Sequence, residues 1–162
     1  MKTVSHSGGS VVNCHTKPHI PFGHWEVVRH VNSGQIPVAS FSSFMEVVGN
    51  QNGQVCPQAL ILKVKMFKGR WQAANSCALD FFLEHQDLIP SSWEEMAPWE
   101  KVKARRIFFL DTIFRDRTDP ADLYVRFMFK KTRETWSWDY QLVTEPYDAD
   151  LSVVAVTCVS PH

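Results

Sequence analysis

The chain has 162 residues, 44% of them apolar and 21% charged, with 17 Lys plus Arg set against 17 Asp plus Glu. That length and apolar content suit one domain able to bury its own core, and they exclude global disorder. A formal net charge of zero gives no positive field for nucleic acid or an anionic membrane surface, so neither is expected as a partner.

Charge is unevenly spread. Residues 1–60 hold only Lys2, Lys17, Glu26, Arg29 and Glu46, while His6, His15, His19, His24 and His30 all fall in the first 30 residues. Gly8, Gly9, Pro18, Pro21 and Gly23 punctuate residues 1–23 rather than build structure. This predicts a flexible N-terminal arm over 1–23, then a single α+β domain over 24–162. Residues 1–13 lack the apolar stretch of a leader, and no apolar run reaches the ~20 residues that cross a bilayer. A cytoplasmic location is the expectation.

Residues 25–31 (WEVVRHV) are rich in β-formers and predict a strand. Residues 40–48 (SFSSFMEVV) predict a short helix between Ser42 or Ser43 and Gly49, and 50–53 a turn. Residues 59–67 (ALILKVKMF) alternate, with Leu62, Val64 and Met66 opposite Lys63 and Lys65, the pattern of a half-buried strand.

Residues 75–86 predict the main helix. Asn75 or Ser76 can cap it, and Leu79, Phe82 and Leu83 form one apolar stripe. Ser92 with Glu95 has capping-box spacing, which predicts a short helix ending before Pro98. Three β-propensity runs follow at 105–115, 123–131 and 135–143, and their short linkers imply an antiparallel C-terminal meander. Residues 151–159 read as a fourth strand or a closing helix. The fold class is therefore α+β: an antiparallel sheet packed against one main helix.

The segments ALDFFLEHQDLIPSSW, RRIFFLDTIFRD, DLYVRFMFK and TWSWDYQLV, in that order over residues 75–150, resemble short uncharacterised bacterial proteins. Those proteins share a helix ending in LIP, an LYVR strand and a WxW strand. The resemblance carries no activity, cofactor or catalytic residue with it. The loop at 116–122, with Asp116, Asp119, Pro120 and Asp122, departs from the shorter glycine-containing turn of that pattern.

Trp136, Trp138 and Tyr140 alternate and share one strand face, as do Tyr124, Arg126 and Met128 on the preceding strand. If the register aligns these rows, they form a continuous aromatic-plus-Arg surface for binding a protein partner or a second copy. If it aligns the Trp row with Leu123, Val125 and Phe127, the tryptophans are core. An RNA-binding reading of the Tyr124 row lacks the glycines that the matching motif needs.

Cys14, His15, His19 and His24 offer zinc-type ligands at a spacing that fits no finger. Cys56, Cys77 and Cys158 complete a set of four cysteines without a CxxC pair, read as reduced. No metal, disulfide or cofactor is expected. Cys77 lies in the first turn of the main helix, where a thiol pKa falls. It is a candidate nucleophile with His85 or His30 as base and Asp80, Asp111 or Asp139 as orienter. The leading expectation is a non-catalytic interaction or self-associating module using Trp136, Trp138, Tyr140, Tyr124 and Arg126. The alternative is a small enzyme with a scattered site, Cys77 or Asp139 its candidates, and a nucleic-acid binder is the weakest reading.

Overall fold

The computed structural model describes residues 9–44, 53–66, 70–96 and 105–158. The protein is α+β. Its elements are β1 (Val11–Asn13), β2 (Trp25–His30), β3 (Gln35–Pro37), β4 (Phe41–Phe44), β5 (Gln54–Val55), α1 (Pro57–Met66), β6 (Trp71–Ala73), α2 (Ser76–Glu84), α3 (Ser91–Met96), β7 (Arg106–Asp116), β8 (Leu123–Lys130), β9 (Trp136–Leu142), β10 (Tyr147–Asp148) and β11 (Ser152–Cys158).

The main sheet runs β4-β11-β7-β8-β9, with β2 added beside β7 and β6 beside β11. Its meander, β7 through β9, is antiparallel, as the short linkers require. The sheet is not only C-terminal, however. β2, β4 and β6 come from the first half of the chain, and β11 enters between β4 and β7, parallel to β7 and antiparallel to β4. Two small ribbons, β1 with β3 and β5 with β10, flank it.

Both sheet faces are covered. One carries Ile107, Phe109, Met128 and Trp136 against Leu79 and Phe82 of α2, with Trp93 of α3. The other carries Phe108, Val125, Phe127 and Val156 against Leu60 and Val64 of α1. The alternation of 107, 108 and 109 between the two clusters is the period-two pattern of a strand buried on both sides. The α2 stripe is as its spacing predicts: Leu79 and Phe82 are fully buried, and Leu83 packs against the same core.

Two expectations are corrected. Residues 59–67 lie largely in α1, a helix, because Leu60 and Val64 meet the sheet four residues apart while Leu62 and Met66 face solvent. Pro57 at the first helical position was the overlooked signal. Residues 41–44 form β4 rather than a helix, since β11 offers them an edge; residues 45–52 lie outside the described residues. Val12 and Cys14 are buried in the α2-side core, so the stretch expected as a flexible arm is anchored there, while residues 15–17, 19 and 20 are exposed. Residues 1–8 lie outside the described residues. Among the described residues no helix is long and apolar enough to cross a membrane.

Candidate functional site

β7 is long and irregular. Its register with β8 shifts between Phe109 and Phe114, so Leu110 to Ile113 bulge opposite Val125. On the other edge these bulged residues meet β2, where Thr112 pairs with His30, and the Asp111 N–H donates to the Ala74 carbonyl. β2 has its own irregularity between Val27 and Arg29. The two together turn the His30 and Thr112 side chains toward each other, Nδ1 to Oγ1 2.8 Å.

α2 starts at the same place. Fully buried Asn75 caps it by accepting the N–H groups of Cys77 (3.1 Å) and Ala78 (3.3 Å). The Asn75 amide nitrogen donates to the carbonyls of Cys14 and Val31, both at 3.0 Å, which ties the helix start to the ends of β1 and β2. The Ser76 N–H donates to Thr112 Oγ1 at 2.9 Å. These bonds fix Cys77 in the first helical turn, its Sγ 3.8 Å from His30 Nε2.

The hydrogen bonds assign the imidazole tautomer. The Thr16 carbonyl beside Nε2 can only accept, so Nε2 carries the ring proton; Nδ1 is then the acceptor of the Thr112 hydroxyl proton, while Thr112 Oγ1 accepts from Ser76. The Nε2–H donates to the Thr16 carbonyl at 3.1 Å. The Cys77 thiol donates to the same carbonyl at 3.4 Å, and Thr16 Oγ1 approaches Cys77 Sγ at 3.5 Å. Burial is the main influence on both titrating groups. It raises the Cys77 thiol above its ordinary value, assisted by Asp80 and opposed by Thr16 and Arg126, and it lowers His30 against the Thr16 hydrogen bond. The expected lowering of Cys77 by the helix start is thus outweighed, and the resting pair is a neutral thiol beside a neutral imidazole. Next to His30 a cleft of about 400 Å³ opens, lined by His15, Thr16, Lys17, Ile20, Val27 and Asn32 among others.

The base and orienter expected for Cys77 sort out as follows. His30 is brought to the thiol; His85 sits past the far end of α2, against the Phe81 ring. None of the three aspartates holds His30. Asp80 binds Arg126 at 2.9 Å, Asp111 faces Arg29 at 3.5 Å, and Asp139 is exposed on β9, its carboxylate accepting the Tyr140 N–H. Thr112 takes the orienting role. Neither Thr112 nor Thr16 was legible as a partner, since a lone threonine in a strand or loop carries no spacing signal.

The aromatic row is placed in an unforeseen way. The register pairs Trp138 with Met128 and Tyr140 with Arg126, so the two rows do share a face. That face is nevertheless largely covered. Trp136 and Met128 join the α2 core, and Arg126, 1% exposed, stacks its guanidinium 4.2 Å above Trp138. Trp25 lies flat on Tyr124 at 5.0 Å, and Phe22 and Trp25 both meet Tyr140 edge-on. Tyr140 keeps 41% of its surface open. Among the described residues no group of three His, Cys, Asp or Glu side chains gathers as a metal site. No family model matches the chain, and no match to it is found among curated proteins or solved structures.

Proposed function

We propose that the protein is a thiol-dependent acyl-transfer enzyme, hydrolysing or transferring an ester or amide acyl group at Cys77. The observation that carries this reading is the Cys77 Sγ to His30 Nε2 distance of 3.8 Å, with Thr112 fixed on the far ring nitrogen and a cleft at the imidazole. In the reaction Cys77 Sγ attacks the acyl carbon as His30 takes the thiol proton. The tetrahedral adduct collapses as His30 returns that proton to the leaving oxygen or nitrogen, leaving a thioester. Water or an acceptor amine then attacks the thioester by the same base. A neutral pair of this kind works by concerted proton transfer rather than through a standing thiolate.

The test is acylation by p-nitrophenyl acetate, read peptide by peptide in a mass spectrometer. We expect the acetyl group on Cys77, at a rate that rises with pH through a midpoint below the ordinary imidazole value, the sense in which burial moves His30. His30→Ala lowers that rate by about tenfold or more. Acetylation scattered over lysines and indifferent to His30→Ala would exclude the dyad.

The alignment of the two aromatic rows supports a second reading, a self-associating surface centred on exposed Tyr140. Tyr is among the residues that dominate interface energetics, and a chain of zero net charge resists self-association poorly. In sedimentation, Tyr140→Asp shifts an oligomer toward monomer on this reading; a wild-type chain that stays monomeric at high concentration rules it out.

A further inference from the structure

Residues 15–20 lie over the dyad as a strap. Cys14 is tied down at one end through Gly34 and Asn75, and at the other end Phe22 accepts from the Trp25 N–H and His24 from the Arg117 N–H. Between these anchors His15, Thr16, Lys17, His19 and Ile20 are exposed. Apart from the short-range bond from the His15 N–H to Asn13 Oδ1, the hydrogen bonds between this stretch and the rest of the described residues join Thr16 to Cys77 or His30. A segment so exposed and so sparsely bonded opens at small free-energy cost.

We propose that this strap is an autoinhibitory element: the Thr16 carbonyl oxygen lies against both Cys77 Sγ and His30 Nε2, in the space an acyl substrate has to enter, and it holds both protons of the dyad. The inference rests on the acyl-transfer reading above. His30 Nε2 donates its proton to Thr16 and so has no lone pair for the thiol; in this tautomer it is no base. The Cys77 proton is turned to the same oxygen. When the strap lifts, Nε2 loses its acceptor. The proton can then reside on Nδ1, which donates to Thr112 Oγ1. That hydroxyl still accepts from Ser76, and an oxygen with two lone pairs serves both bonds. Nε2 is then free to accept the thiol proton. Thr112 thus supports either tautomer, and Thr16 selects the inactive one. The element that displaces the strap is an acyl carbonyl carried on an extended chain, since a main-chain carbonyl is what the site now holds.

Two measurements test it. Nitrogen-15 NMR of the His30 ring in the full chain is expected to show the Nε2–H tautomer. Alkylation of Cys77 by iodoacetamide transfers a carbamoylmethyl group to sulfur, releases iodide and leaves the thiol proton on the base; it is followed at the Cys77 peptide. We expect the loosened variant Pro18→Gly/Pro21→Gly to label about tenfold faster than wild type, the scale of one net hydrogen bond. Adding His30→Ala removes that gain. Thr16→Gly loosens the same segment by a single change and is expected to behave alike. An Nδ1–H tautomer in the wild type, or no acceleration in either loosened variant, overturns the strap and leaves the dyad standing. An acceleration that survives His30→Ala shows a thiol merely uncovered and overturns the dyad itself.

Discussion

Asp80→Ala is expected to lower stability by about 3 kcal/mol, more than its place on the surface of α2 suggests. The cause lies in its partner. The Arg126 side chain is 2% exposed, and its Nη2 bonds Asp80 at 2.9 Å. Its Nε and Nη1 have no hydrogen-bond partner among the described residues, and the ring of Trp138 covers one face of the guanidinium. Arginine does not shed its proton, so removing the carboxylate leaves a buried charge balanced only by a π face. The reverse deletion is milder. Arg126→Met leaves Asp80, 29% exposed, free to hydrate, and it removes two orphaned donors. The double variant Asp80→Ala/Arg126→Met should therefore recover to within about 1 kcal/mol of wild type. Urea unfolding of the three variants measures this. A loss under about half a kcal/mol for Asp80→Ala would mean that water reaches Arg126 after all.

Asp111→Asn is expected to change how stability depends on pH. Burial pushes the Asp111 carboxyl up from the ordinary 3.8 to about 6, against the opposing pull of Arg29, Gln72 and Lys65. A raised carboxyl binds its proton more tightly folded than unfolded. Its contribution is therefore fully present below the ordinary value and is lost as pH climbs through about 6. Relative to Asp111→Asn, the wild type should lose about 2–3 kcal/mol between roughly pH 4 and pH 7. The amide keeps the shape and can still pair with Gln72. Thermal unfolding of both chains across that range decides the matter, and parallel curves would show that Arg29 neutralises the burial term.

What the sequence disclosed follows from how local each signal is. β7 through β9 were legible because β-branched and aromatic runs are separated by turns too short for anything but antiparallel pairing. α2 was legible because an Asn cap and an apolar stripe agree. α1 was misread because alternation over a few residues is common to a strand and to a helix with lysines at its end, and only Pro57 separates them. β4 and β6 are too short to announce themselves and exist because β11 pairs with them. At the candidate site Cys77 and His30 could be named from chemistry alone. Their meeting depends on the β7 bulge, and no residue pattern encoded it. The aromatic row is a different case: its register was one of the two foreseen, yet a face is surface or core according to what lands on it. Here α2 covers part of the row, and Phe22 and Trp25 cover more.

The place of β11 bears on the order in which the chain assembles. It joins Phe41–Phe44 and Trp71–Ala73 to Arg106, Ile107 and Phe108, and it is the last of the described strands in sequence. Closing contacts across more than half the chain is slow, because the loop entropy is spent before the pairing returns it. Until that strand docks, β4 and β6 have no strand partner among the described residues, and the edge of β7 at Arg106, Ile107 and Phe108 stays open. The meander and α2 can form early from near neighbours. β4 and β6 wait on seven late residues, Ser152–Cys158, and during synthesis the half-built sheet presents the kind of bare strand edge on which chains aggregate.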